Sequence, residues 1–364
     1  MMVILIWLYI AVLAHPSLAS TWSTPCHPFN PTEHQLPLLS QHSHLTTCPG
    51  PPENWHVTPS PGKGLGVFAT RALEEGTIVM REAPSLLITP PPIVPGYGYN
   101  VTEVGLRVQS AFDSLSPALQ SEILSLHAHF KPGESSSTAF ARLKAIFRSN
   151  AYNTGKDIGL FPKIARINHS CRPNAGYVWN ERLGRRVVFA NRRIEEGEEI
   201  TDSYVPLLLS RRERQQRLDT YGFRCKCEAC RVGEEEGRKS DRRRRDIKEL
   251  LGELERGIAV EAKEDGVGRK KAKRLAKKSA KVVGLVEDEE LPEYFAKAYR
   301  YAAVFHSRTQ AWENATLWAE QGLRHMMMAD SESQETKDML QLTERCRRMW
   351  DEEQRNKTSS KETE

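Results

Sequence analysis

Long apolar runs are scarce in this sequence. Apolar residues make up 39% of its 364 positions and aromatic residues 8%. The one extended run, residues 3–14, is too short to read as a membrane span, so no transmembrane segment is expected in the mature chain. Basic side chains are missing from the start: apart from histidine, the first is Lys63. The run followed by Ser17-Leu18-Ala19 still reads as a signal peptide over residues 1–19, though without the usual basic opening. Sequons at Asn100, Asn314 and Asn356 are compatible with that route. The net charge of +5 is concentrated in residues 238–281, which contain Arg242-Arg243-Arg244-Arg245 and Lys270-Lys271. Aromatics are absent from that stretch, which argues against base stacking; no direct sequence-specific nucleic-acid binding is expected. Such a run reads as a solvated face or linker, or as a nuclear-import patch. Cysteine is sparse, seven in all. Cys26 and Cys48 lie in a Pro-rich leader, where they are either paired or free, and Cys346 lies on an expected helix as a buried thiol.

What is present is more informative. Arg166-Ile167-Asn168-His169-Ser170-Cys171-Arg172-Pro173-Asn174 sets one thiol beside an Asn-His pair and a Pro-Asn turn. Cys225-Lys226-Cys227-Glu228-Ala229-Cys230 supplies three more. Four thiolates suit a tetrahedral structural Zn2+ site, with iron–sulfur as a competitor. Disulfides are the alternative in an oxidising compartment. If zinc binds, it pins the later segment onto the Asn-His loop and builds a site from two distant parts of the chain.

The pattern of elements is α+β. Residues 57–70 read as strand, glycine turn, strand. Ile78-Val79-Met80 and Leu86-Leu87-Ile88 are further short strands, and 177–179 with 187–190 form a hairpin. A helix is expected over 111–130, with Phe112, Leu115, Leu119, Ile123 and Leu126 on one face. Others are expected over 138–150 and 206–221, and helix throughout from Asp246. In the tail, Phe295, Tyr299, Ala302 and Ala303 form one stripe and Ala315, Trp318, Ala319 and Leu323 another, as in a packed bundle.

Five pieces in this order resemble a SET-domain protein lysine methyltransferase, closest to the SMYD-like type common in fungi. They are Gly62-Lys63-Gly64-Leu65-Gly66-Val67-Phe68-Ala69, Ser149-Asn150-Ala151-Tyr152, Asn168 to Asn174, Gly197-Glu198-Glu199-Ile200-Thr201-Asp202-Ser203-Tyr204, and Tyr221-Gly222-Phe223-Arg224 with the cysteine cluster. The resemblance implies a fold of short strands with a helical insert, a post-SET zinc segment and a C-terminal helical bundle. It implies S-adenosylmethionine (SAM) as cofactor, held by Lys63, Gly64, Gly66, Asn150, Asn168, His169 and Phe223. Tyr204 would be the catalytic tyrosine, and Cys171, Cys225, Cys227 and Cys230 the zinc ligands. The expected reaction is methyl transfer from SAM to a lysine of a protein substrate, histone or non-histone. The alternative is an inactive SET scaffold that binds proteins through its helical tail.

Two departures stand out. The family often carries a tyrosine where this chain has Asp202, which bears on how many methyl groups are added. The MYND zinc finger that such relatives insert is missing, because residues 90–109 contain neither Cys nor His. The expected domains are a signal peptide (1–19), a Pro-rich linker (20–54) and a SET domain (55–205, insert about 101–150). A post-SET segment (206–235), a basic linker (236–280) and a helical lobe (281–364) follow. Signal peptide and family point to different compartments.

Overall fold

The computed structural model describes residues 53–96, 98–258 and 266–362. The signal peptide and nearly all of the Pro-rich linker, with Cys26 and Cys48, lie outside the described residues. Ten short strands form three sheets. In the first, β1 (Trp55–Ser60) and β2 (Gly64–Ala69) make the expected hairpin. β2 then pairs antiparallel with β10 (Glu199–Asp202), which pairs parallel with β7 (Asn168–His169). The second sheet runs β3 (Ile78–Glu82), β9 (Arg185–Ala190), β8 (Ala175–Asn180), and the third β4 (Leu86–Ile88), β6 (Asp157–Leu160), β5 (Ala151–Thr154). Val67, Val79, Phe161, Ile167, Val188 and Ile200 fill the core they enclose.

The insert holds α1 (Val101–Asp113), α2 (Pro117–Leu124) and α3 (Ala139–Asn150). The single helix expected over 111–130 is therefore broken. Pro117 opens a new helix at its first turn, and the Ser116 hydroxyl accepts the Leu119 N–H as its cap. Ile123 and Leu126 still reach the core, whereas Leu119 is exposed. The helix expected over 206–221 shrinks to α4 (Arg211–Leu218), where a Ser210–Glu213 capping box fixes its start.

After α5 (Glu228–Arg231) the chain forms α6 (Glu234–Ile258), α7 (Gly266–Asp288), α8 (Phe295–Arg308), α9 (Trp312–Asp330) and α10 (Gln334–Glu362). The stretch expected as a basic linker is thus helical along α6 and most of α7. Charge hid its apolar spacing: Ile247, Leu251 and Leu254 of α6 are buried, as are Leu275, Val282 and Val286 of α7. The apolar stripes of α8 and α9 lie in the same lobe, with Tyr299, Ala302, Ala315 and Ala319 buried. Cys171, Leu207 and Ala229 belong to the lobe's core as well, so the Asn-His loop is packed against the helices. No helix among the described residues is long and apolar enough to cross a membrane.

Candidate functional site

The loop carrying the Asn-His pair is held on both sides. Ser170 donates its N–H to the Asp202 carbonyl at 2.8 Å, extending the parallel register of β7 and β10. Asn168 Nδ2 donates to the Leu65 carbonyl (3.0 Å) and to Glu199 Oε1 (2.8 Å), and Lys63 Nζ pairs with Glu199 Oε2 at 2.6 Å. Glu199, not singled out in the sequence, thereby joins Lys63 to Asn168. Gly66 lies between them. A Cβ there would stand 2.6 Å from Glu199 Oε1 and 3.0 Å from Asn168 Nδ2, so only glycine keeps this cradle open.

His169 is buried, and loss of solvation holds its imidazole down to about 4, so the ring is neutral at pH 7. Its Nδ1 accepts the Tyr204 backbone N–H at 3.1 Å. The remaining proton therefore sits on Nε2, 3.3 Å from Cys171 Sγ, which makes the thiol sulfur the acceptor. Tyr204 donates its hydroxyl to the Ile167 carbonyl at 2.6 Å. Its ring centroid lies 5.4 Å from that of His169, 5.1 Å from Tyr221 and 6.3 Å from Phe223. Phe223 remains 37% exposed, an apolar face open beside His169.

The segment that brings Phe223 here is clamped. Gln215 Nε2 donates to the Phe223 carbonyl (2.9 Å), and its Oε1 accepts the Cys225 N–H (3.0 Å). Gly222 adopts φ +82°, and a Cβ on it would fall 2.1 Å from His129 Nδ1, so the turn touches the helical insert. Asn150 closes the last turn of α3. Its amide donates to the His127 and Ile146 carbonyls (2.8 and 2.7 Å), within the insert.

The Sγ atoms of Cys171, Cys225, Cys227 and Cys230 all lie within 4.8 Å of one another. All four are unbridged, and Cys171 Sγ is 3.6 Å from Cys230 Sγ, far beyond an S–S bond. Tetrahedral Zn–S bonds of about 2.3 Å put sulfurs roughly 3.8 Å apart, which matches this spacing. The bonds among the four thiols push Cys227 far down and Cys171 and Cys225 up, so without a metal the charge gathers on Cys227. Two buried guanidiniums face it. Arg214 Nε donates to Cys171 Sγ at 3.2 Å, and Arg244 Nη2 to the Cys171 carbonyl at 3.0 Å. Four thiol sulfurs at tetrahedral spacing, one of them also receiving Arg214, are a donor set that fits that ion.

A buried cluster of polar and aromatic side chains adjoins Tyr204. Asp202 is 1% exposed, and neither of its carboxylate oxygens has a hydrogen-bond partner. Burial pushes its carboxyl up to about 8, against the pull of Arg186. Burial first, and Asp202 second, push up the phenols of Tyr152, Tyr177, Tyr204 and Tyr221. Arg186 covers the rings of Tyr152, Tyr177 and Phe161 at 4.3, 4.6 and 5.3 Å. Sequence reasoning missed Tyr221, Gln215, Arg186 and Glu199. Tyr221 stood within a quoted motif, beginning the Tyr-Gly-Phe-x-Cys run.

Residues 64–205 match the SET domain family. Histone-lysine N-methyltransferase set5 of Schizosaccharomyces pombe is 33% identical over 198 residues, covering 54% of this chain and 56% of that protein. Histone-lysine N-methyltransferase ASHR2 of Arabidopsis thaliana is 30% identical over 167 residues, 43% of this chain and 37% of that one. Histone-lysine N-methyltransferase SMYD3 of Homo sapiens is 42% identical over 77 residues, 21% and 17% of the two chains. The chain spans about half the length of set5 and less of the other two.

Proposed function

We propose, from the premise that this chain carries a SET domain of the SMYD-like type, that it transfers a methyl group from SAM to a lysine side chain of a protein substrate. The observation that carries this reading is the cradle of Lys63, Gly66, Asn168 and Glu199, set next to Tyr204 and the buried aromatic cluster. SAM, when bound, supplies an activated methyl group on a sulfonium.

The chain's own residues would do the rest. Asn168, with Gly64 and Gly66, offers polar groups and close backbone approach to the amino-acid end of the cofactor. Lys63, tied to Glu199, fixes the charge there. His169 and exposed Phe223 offer a flat apolar surface for a base. Asn150 enters this reading only as support for the insert. The zinc site of Cys171, Cys225, Cys227 and Cys230 keeps Phe223 beside His169. Tyr204 keeps its proton, oriented by the Ile167 carbonyl, so it serves as a fixed phenol rather than a base. An amine must be neutral to attack, and a dry, ring-lined setting disfavours its charged form. Alignment of amine and methyl group contributes the remainder. By the relatives' names, a histone is the first substrate to try.

The test is calorimetric titration of SAM into the zinc-loaded chain, with Asn168→Ala as control, followed by transfer of labelled methyl to core histones. Saturable binding lost in the variant, with label on lysine, supports the proposal. Binding without transfer to any protein in a cell extract would leave a SET scaffold.

A further inference from the structure

From Gly266 to Val286 helix α7 contains no acidic residue, while lysine and arginine recur through it. Lys270, Lys273, Arg274, Lys277 and Lys281 fall at positions i, i+3, i+4, i+7 and i+11, which is one face of a helix. All five are exposed. The opposite face, with Leu275, Ser279, Val282 and Val286, is buried in the lobe. The helix is therefore held by one side and offers a stripe of one charge sign on the other. Counterions are few along it. Arg274 and Lys281 meet Glu253 and Asp246 of α6 only at 3.9 and 3.7 Å. Among the described residues Lys270, Lys273 and Lys277 make no ion pair. Helix α6 is different: Arg238, Lys239 and Arg243 pair with Glu234, Glu235 and Glu236 on the same helix. Like charges one turn apart weaken a helix, and opposite charges support it. A face that needs only to be wetted is served by the α6 pattern; α7 keeps the repulsion.

We propose that the basic stripe of α7 docks the phosphate backbone of double-stranded DNA, without regard to base sequence. At 1.5 Å per residue, Lys270 to Lys281 spans about 16 Å, over which a duplex presents roughly ten phosphate charges. Four of the five cations are lysines, flexible point charges that suit phosphates and read no bases. No aromatic residue stands in the stripe, so unpaired bases find no stacking platform. The apolar side of α7 belongs to the lobe's core, so a lipid surface finds nothing to take in. The choice of DNA among polyanions rests on the methyltransferase reading, with histone as first substrate: DNA accompanies that substrate. Helix α7 also runs into Glu289, which receives Arg244, and Arg244 bonds the Cys171 carbonyl. The stripe is thereby joined to the loop that carries Asn168 and His169.

The test is fluorescence anisotropy of a labelled duplex of mixed sequence with the full zinc-loaded chain, between about 50 and 200 mM salt. Five phosphate contacts predict a slope of log affinity on log salt of about −4.5, a loss of roughly 500-fold across that range. Lys270→Gln, Lys273→Gln and Lys277→Gln combined should flatten the slope to about −1.8, a loss of roughly twelvefold. The Tm of that variant should hold or rise, because repulsion is relieved, so weakened binding is not weakened folding. The control combines Lys131→Gln, Lys156→Gln and Arg182→Gln, exposed positions outside the lobe that remove the same charge, and should keep the wild-type slope. No binding at low salt, an unchanged slope in the stripe variant, or an equal loss in the control overturns the proposal. So does displacement of the duplex by poly-glutamate or by phosphatidylserine vesicles at equal charge. Methyl transfer to free core histones, run in parallel, separates the two readings. Label on histone with no DNA binding sinks only the stripe, and DNA binding with the expected slopes but no label sinks only the methyltransferase.

Discussion

Two buried polar clusters in this molecule are finished to different degrees. In the first, Glu289 is wholly buried and receives bonds from Ser240, Arg243 (2.7 Å) and Arg244 (2.9 Å). Arg244 uses its other nitrogens on the Leu207 and Cys171 carbonyls. Arg172 adds an ion pair to Glu289 at 3.6 Å, with its Nε left unbonded. In the second, Asp202 accepts nothing and Arg186 Nε donates to nothing. The same low dielectric acts on both. A completed network fixes position: it ties the helical lobe to the Cys171 loop. An incomplete one leaves buried charge only partly compensated, at a cost to stability.

The largest effect should come from breaking the anchored side at its metal. Cys227→Ser should lose zinc and with it SAM binding, because Phe223 would no longer be pinned beside Asn168. Metal analysis and calorimetry check both, and normal SAM affinity without zinc would disconnect the two sites. Next comes Arg244→Met, which takes from Glu289 its fully buried cation and leaves two carbonyls without a donor. Removing one partner of a buried pair costs about 3–5 kcal/mol, read as a fall in denaturant midpoint; a change near zero would mean the network is ornamental to stability. Tyr204→Phe should leave folding and SAM affinity intact and lower the methyl-transfer rate about a hundredfold. Retained turnover would move the catalytic role to Tyr221.

The last effect has the opposite sign. Asp202→Asn should raise stability at pH 9. The folded carboxyl titrates at about 8, above its ordinary 3.8 in the unfolded chain. Below the unfolded value both states are protonated and the wild type bears no penalty. As pH rises from about 4 to 8 the unfolded chain ionises first, so wild-type stability falls, and above 8 the loss is constant. The difference in Tm between variant and wild type should open across that window. A difference independent of pH would mean that ionisation of Asp202 is not its source.

The zinc-type cysteines and the Asn-His pair were legible because each is a short local word, and the hairpin of β1 and β2 because its turn glycines interrupt an alternating pattern. The break at Pro117 was written in the sequence too, but a continuous apolar face across it masked the signal. Charge masked the buried stripe of α6. Glu199, Arg186 and Gln215 were not legible. Lys63 meets Glu199 across 136 positions, and no local pattern marks a carboxylate that will join two strands. Asp202 was visible as an odd residue in a familiar motif. What could not be read was that burial would outweigh the pull of Arg186 on its carboxyl.

The bond from Arg244 to the Cys171 carbonyl spans 73 positions and crosses the boundary at which the family match ends. Cutting the chain at residue 205 would keep Asn168, His169 and Tyr204 but discard three thiols, Phe223, Gln215 and both guanidiniums. The piece that evolution copies as a recognisable module is therefore smaller than the piece that must fold together for the site to exist. Moved alone into another protein, the module would need its new host to supply an equivalent of the helical lobe before it could hold anything.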